Sequence, residues 1–293
     1  MNKYLKLMRV DQYLKNIIVL LPLLFSGELF QDGKILPTLL GVLMFCFVSS
    51  AVYVMNDIAD AKSDAQNPAK CHRPIASGEI PKRNAYALCI GLFAIASLVS
   101  FIILPFMSGV WITIYFGINI LYSLGLKNIV VVDVAMIVAG FVIRVHYGTI
   151  IADVEISMYF YYMIAFLTSF TTIGKRLNEK RRMNRTGLCV RKVLYKCDEK
   201  TLAIALYMAL ILMDIFFVIW ISDIIPICAT NPLWTIPIMV VFSYKSFIII
   251  DRNESNQDPF PLFVRDKVWL LCFFILIASI VITFYVEVPF ING

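Results

Sequence analysis

Acidic side chains in an otherwise apolar chain are the first sign of chemistry. The segment Y-V-M-N-D-I-A-D-A-K-S-D, ending at Asp64, sets Asp57, Asp60 and Asp64 at i, i+3 and i+7, with Asn56 four residues before Asp60. On a helix that spacing stacks three carboxylates on one face, where their repulsion calls for a cation. Hard oxygen ligands that leave room for water and substrate phosphates suit Mg2+, so such a face is a diphosphate anchor rather than a closed metal cage. The chain continues Q-N-P-A-K-C-H-R-P-I-A-S-G-E-I-P, which supplies Lys70 and Arg73 for the phosphate oxygens a metal leaves uncovered. An isolated D-x-x-D-x-x-x-D is more often a solvated helix end, and the bases beside it weigh against that reading.

The elements that must position these residues lie in lipid. The 293 residues are 60% hydrophobic and 16% charged, whereas soluble domains carry roughly a quarter charged residues. Apolar runs recur near the ~20 residues a membrane-spanning helix needs, and they lack the alternation of barrel strands. Since lipid forces every backbone group to be paired internally, the expected fold class is an all-α polytopic membrane protein. About nine transmembrane helices are expected, near 17–31, 35–55, 84–104, 108–124, 129–151, 157–174, 201–222, 233–250 and 268–286, in one integral membrane domain over 1–293.

With the N-terminus in the cytoplasm, every Lys and Arg except Lys34 and Arg144 falls on or beside the cytoplasmic side, and the outer loops carry Asp153, Glu155 and Asp223. The expectation is therefore a protein of the cell's inner (cytoplasmic) membrane with its C-terminus outside and its long polar loops, 56–83 and 175–200, facing the cytoplasm. The net charge of +6 is a topology signal and needs no nucleic-acid partner. Lys3, Lys6, Arg9 and Lys15 before an apolar stretch look superficially like a secretory signal, but no A-x-A-like cleavage site follows. Seven cysteines without a C-x-x-C pair suggest neither a disulfide framework nor a zinc site.

The run N-D-x-x-D-x-x-x-D, met in full by Asn56 to Asp64, resembles the signature of the UbiA-type intramembrane prenyltransferases, and the resemblance spans nearly the whole chain. It is closest to the decaprenyl-phosphate phosphoribosyltransferase branch, through Q-Y-L-K-N (Gln12 to Asn16), R-P-I-A-S-G (Arg73 to Gly78), Y-S-L-G-L-K (Tyr122 to Lys127), G-F-V-I-R (Gly140 to Arg144) and G-K-R-L-N-E (Gly174 to Glu179), with R-D-K (Arg265 to Lys267) as weaker support. The resemblance implies a UbiA-like bundle with a cytoplasm-facing active site, and Mg2+-dependent transfer of 5-phosphoribose from phosphoribosyl diphosphate to a polyprenyl phosphate. The product would be a lipid-linked phosphoribose for cell-envelope polysaccharide synthesis.

Two departures bear on the substrates. Aromatic prenyltransferases of the family carry a second aspartate-rich motif after span six, where this chain has G-K-R-L-N-E-K-R-R-M-N-R, with Glu179 the one acid among the bases from Lys175 to Arg185. Asp198 and Glu199 come too late and too close together to rebuild the motif. A basic second site suits a lipid phosphate held directly by side chains. At the N-terminus the branch's R-P-x-Q-W is R-V-D-Q-Y here, with Val10 and Tyr13 substituted.

The expected roles follow. Asp57, Asp60 and Asp64 are the metal and catalytic carboxylates, and Asn56, Lys15, Asn16, Lys70 and Arg73 bind donor phosphate or ribose. Lys127, Asp133, Arg144, Lys175, Arg176 and Glu179 are the candidates for the lipid phosphate or second site. Several have structural alternatives: Lys15 and Asn16 can serve interfacial snorkelling, and the 175–200 bases can answer only to topology and anionic lipid. Arg144, an intramembrane charge, either binds phosphate or stabilises the bundle, with Asp214 a candidate partner. Asp133 is a candidate partner for Lys127 or an added donor contact. His72 is read as a surface residue and His146 as structural. The other function classes are an aromatic or other UbiA-type prenyltransferase using prenyl diphosphate, and a membrane carrier or channel. The carrier is disfavoured because the acids sit at a membrane face rather than the midplane.

Overall fold

The computed structural model describes residues 2–67, 70–124, 129–187, 197–252 and 259–287, and these are helical throughout with no strand among them. In order, the helices are α1 (Lys3–Met8), a 3-10 helix (Val10–Leu20), α2 (Leu21–Leu24), α3 (Ile35–Ala65), α4 (Lys82–Ile102), α5 (Phe106–Leu124), α6 (Val130–Ala152), α7 (Met158–Thr186), α8 (Glu199–Asp223), α9 (Ile236–Asp251), α10 (Pro259–Arg265) and α11 (Lys267–Tyr285). Seven of them are long and apolar enough to cross a membrane: α3, α4, α5, α6, α8, α11, and the run Pro232–Asp251 that ends in α9.

Two of the nine expected spans differ from expectation. The apolar stretch 17–31 is not one helix. It is the end of the 3-10 segment followed by the single turn Leu21–Leu24, with Leu21 N–H donating to Ile18 O. Pro22 has no N–H to continue an i→i−4 ladder, which favours the tighter i→i−3 winding before it. The stretch 157–174 forms a helix, but that helix does not stop there. α7 carries G-K-R-L-N-E-K-R-R onward to Thr186, so the first half of the expected 175–200 loop is helical. Lys, Arg, Glu and Leu are good helix formers, and the helix ends where Gly187 takes a left-handed conformation, φ +70°.

The chain divides into two compact units. The first comprises Met1–Leu23, Leu29–Lys127 and Ile143–Val154. Here α3 packs along α4, α5 and the 3-10 segment, and α4 packs on α5. One core joins Val19, Phe45, Val48, Tyr115 and Tyr147, and a second joins Leu7, Val54, Ile58, Ala61, Ile75, Ile80 and Ala85. The 3-10 segment lies hard against α6, since a Cβ on Gly148 would collide with Val19 O. α3 has 31 residues, roughly 46 Å at ~1.5 Å per residue, against a hydrocarbon layer of ~30 Å. That excess length lets its last turns, which carry Asn56 to Asp64, run beyond the apolar slab.

The second unit comprises Leu24–Glu28, Asn128–Val142 and Glu155–Gly293. α7 and α8 form its main pair, α9 packs on both, and α11 packs on α9. Phe25, Phe160, Phe217, Trp220 and Phe284 make an aromatic core with Phe160 and Trp220 centroids 5.0 Å apart.

Candidate active site

In the first unit, α3 continues as one helix through Ala65, so Asp57, Asp60 and Asp64 share its face. Asp57 and Asp64 are almost fully buried, at 4% and 3% exposure, and Asp60 is half-buried. Buried carboxylates are tolerated only when paired. Arg73 supplies most of the pairing: its Nη1 donates to Asp57 Oδ1 at 3.1 Å and to Asp64 Oδ2 at 2.7 Å. Lys70 Nζ stands 3.7 Å from Asp64 Oδ1. The two expected phosphate-binding bases of this loop thus meet the acids directly. Asn56 accepts a hydrogen bond from Ser123 Oγ on α5.

A further cation on this face was not among the expected site residues. Arg9 Nη2 donates to Asp57 Oδ1 at 2.6 Å, and its guanidinium lies 4.9 Å from the Tyr53 ring centroid. Arg9 ends α1 in the left-handed region at φ +52°, a conformation that costs a non-glycine residue of order 1 kcal/mol or more. The turns from Lys70 to Ile80 are fastened to α1 as well, by Lys6 Nζ to His72 O at 3.1 Å and Lys3 Nζ to Glu79 O at 3.4 Å, while Ile75 and Ile80 sink into the core beside Leu7. His72 itself is exposed. A signal for Arg9 existed in the sequence, since it heads the R-V-D-Q-Y segment set against the family's R-P-x-Q-W.

Asn16, expected beside the donor phosphates, turns inward instead. It is 1% exposed, accepts from Arg144 Nε at 2.9 Å and Ser49 Oγ at 3.3 Å, and donates to Cys46 Sγ at 3.3 Å. Arg144 also donates to Tyr115 Oη at 2.9 Å and lies 5.0 Å from the ring centroids of Phe45 and Tyr115. The structure therefore joins a donor-site candidate, Asn16, with a second-site candidate, Arg144, in one buried cluster. Asp214, weighed as a partner for Arg144, takes Ser243 Oγ at 3.1 Å. Lys15 is half-buried on the 3-10 segment.

In the second unit, Arg176 Nε donates to Asp133 Oδ2 at 2.7 Å and its Nη1 to Glu179 Oε2 at 2.9 Å, with all three residues buried. Burial works against the Arg176 charge, and Glu179 and Asp133 outweigh it, holding its pKa above the ordinary value. Three expected second-site residues thus form one ion-pair triad. The rest of this helical run grips the end of α9: Asn178 Nδ2 donates to Ile250 O at 2.8 Å, and Arg181 Nη1 to Asp251 O at 3.1 Å and Oδ1 at 2.9 Å. Gly174 admits Ile250, whose Cγ2 would stand 2.5 Å from an added Cβ. Lys175 is half-buried, and Lys127 lies outside the described residues.

Among the described residues, no three His, Cys, Asp or Glu side chains converge closely enough to cage a metal ion. The donor chemistry of α3 nevertheless fits Mg2+, which needs only one or two carboxylates when water and substrate phosphates complete its shell. Asp57, Asp60 and Asp64 offer hard oxygen atoms on one face, and that face already draws in cationic groups.

Spanning helices, one of which ends in an acidic face met by bases, define the setting of the site. The UbiA prenyltransferase family model matches residues 17–264, and the chain belongs to that family as an integral membrane transferase. Decaprenyl-phosphate phosphoribosyltransferase of Corynebacterium glutamicum is 32% identical over 223 residues, covering 74% of this chain and 66% of that protein. The Mycolicibacterium smegmatis protein of the same name is 28% identical, covering 94% of this chain and 90% of its own length. The fold is shared with a UbiA homologue from Archaeoglobus fulgidus bound to DMAPP and Mg2+, at TM-score 0.69 and 19% identity, covering 94% of this chain and 99% of that one.

Proposed function

We propose that this protein transfers 5-phosphoribose from phosphoribosyl diphosphate to a polyprenyl phosphate, with Mg2+, to make a lipid-linked phosphoribose for cell-envelope polysaccharide synthesis. The proposed setting is the inner membrane, with the N-terminus and the aspartate face cytoplasmic and the C-terminus outside. The relatives named decaprenyl-phosphate phosphoribosyltransferase support the substrate pair. The observation that carries the reading is the state of the second polar segment: its one acid before Asp198, Glu179, is bonded to Arg176, so no second aspartate pair stands ready for another diphosphate-bound metal.

In this reading Asp57, Asp60 and Asp64 hold Mg2+. The bound ion would offset negative charge gathering on the departing diphosphate. Lys70 and Arg73 bind its phosphate oxygens, and Asn56 is held by Ser123 at the start of the same face. The C1–O bond to diphosphate breaks with its electron pair leaving on oxygen, C1 becomes oxocarbenium-like, and a lipid phosphate oxygen forms the new C1–O bond. No strong general base is required, because phosphate is already anionic near neutral pH. Lys175 and Lys127 are the proposed lipid-phosphate contacts. Arg144 and the Arg176 triad act by holding their helices.

A second reading, prenyl transfer to an aromatic acceptor, is favoured only by the family at large. The two are separated by offering purified protein ribose-labelled phosphoribosyl diphosphate with polyprenyl phosphate, and in parallel labelled prenyl diphosphate with an aromatic acid. Label in lipid from the first pair alone is expected. Label only in the prenylated aromatic would replace this reading with the second.

A further inference from the structure

Two facts about the aspartate face stand in tension. Asp57 and Asp64 are almost fully buried, yet no metal cage is preformed among the described residues. Their charge is met instead by guanidinium groups approaching from the outer side, since the Arg9 and Arg73 side chains are 29% and 27% exposed while both carboxylates are at 4%. A single nitrogen of Arg73 bridges the two acids, and Arg9 takes the same Asp57 oxygen. One oxygen of each buried carboxylate, Asp57 Oδ1 and Asp64 Oδ2, is therefore already bonded to arginine.

Both arginine side chains are partly exposed, so a ligand can reach them from solvent. Arg73 sits in a string of turns between α3 and α4, and Arg9 at a left-handed helix end. Arginine binds phosphate with the same fork it offers to carboxylate. A ligand that brings a divalent cation and a diphosphate together supplies a replacement for each partner: a metal for the carboxylates, phosphate oxygens for the guanidiniums. A cation alone must displace the arginines from the carboxylates without offering them another anion. A diphosphate alone must strip them from buried carboxylates that then stand uncompensated.

We propose that Arg9 and Arg73 are exchangeable counter-ions of the aspartate face, passing from carboxylate to phosphate oxygens when metal and donor enter, so that the two bind as one unit and Arg9 becomes a donor-phosphate contact. This rests on the reading of α3 as the diphosphate anchor, but not on the identity of the group attached to the diphosphate.

The test is binding of Mn2+, a paramagnetic stand-in for Mg2+, followed by electron spin resonance on detergent-purified protein. It compares wild type, Arg9→Gln and Arg73→Gln, each with and without inorganic diphosphate or phosphoribosyl diphosphate. Wild type should bind Mn2+ weakly alone and at least about tenfold more tightly with either diphosphate. Arg73→Gln should bind Mn2+ alone roughly tenfold more tightly than wild type, and should lose most of the tightening by diphosphate; Arg9→Gln should shift in the same sense. Mn2+ alone binding the Gln variants no better than wild type overturns the exchange. The wild-type arm stands even if a variant fails to fold: Mn2+ bound equally well with and without diphosphate also overturns it. Tightening by inorganic diphosphate but not by phosphoribosyl diphosphate would leave the exchange intact and remove the phosphoribosyl reading.

Discussion

Arg9 Nη2 lies 2.6 Å from Asp57 Oδ1, joining the end of the first short helix to a carboxylate 48 positions further along the chain. Through that bond the N-terminal segment becomes part of the aspartate face, and Lys3 and Lys6 fasten the same segment to the turns that carry Arg73. The face is thus built by three stretches of chain, of which only α3 supplies acids.

The Asp133–Arg176–Glu179 triad gives a stability prediction. Arg176→Met takes the bonded guanidinium away from two buried carboxylates and is expected to cost about 3–5 kcal/mol. Adding Asp133→Asn and Glu179→Gln removes both buried negative charges and should recover most of the loss. Thermal denaturation in detergent, compared across the three proteins, checks this; a triple variant no more stable than Arg176→Met would contradict the pairing.

Arg144 is a second case, bonded to the neutral groups of Asn16 and Tyr115. Arg144→Met removes one of two donors to Asn16 Oδ1 and a donor to Tyr115 Oη, and is expected to cost about 1–3 kcal/mol. Arg144→Lys keeps the charge but not the planar fork, and should recover only part. A double-mutant cycle with Asn16→Ala measures the coupling, which should exceed about 0.5 kcal/mol for a direct bond.

Gly148 tests how closely the 3-10 segment approaches α6. Its missing Cβ would meet the Val19 carbonyl, a backbone atom with no rotamer to yield. Gly148→Ala should destabilise by about 1–3 kcal/mol, read as a lowered melting temperature. An unchanged melting temperature would mean that the two segments do not approach so closely.

The aspartate face was legible in the sequence because helical periodicity alone sets i, i+3 and i+7 side by side, and because Lys70 and Arg73 are sequence neighbours of the acids. Seven of the nine expected spans were legible from apolar length. What could not be read was pairing at a distance. Arg9 with Asp57, Asp133 with Arg176 and Asn16 with Arg144 are separated by tens of residues, and only tertiary packing decides such partners. Helix propensity favours the run Lys175 to Arg185, but its charge density reads as a loop outside the membrane, and so its helical continuation was missed. The winding of Val10–Leu20 escaped for another reason: hydrophobic pattern scarcely distinguishes a 3-10 from an α-helix, and only the i→i−3 bonds reveal it.

The account stands on the claim that the α3 aspartates anchor a metal-bound phosphoribosyl donor. The direct measurement is the rate of ribose-label transfer from phosphoribosyl diphosphate to polyprenyl phosphate by wild type and by Asp60→Asn, each with Mg2+ or with EDTA. Asp60 is half-buried, and its change to Asn leaves in place the arginine pairs of the buried Asp57 and Asp64. The account predicts labelled lipid from wild type with Mg2+, and a fall of about 100-fold or more, ~2.7 kcal/mol in the barrier, in the variant or in EDTA. Transfer undiminished by both changes, or no labelled lipid from folded wild type, would contradict it.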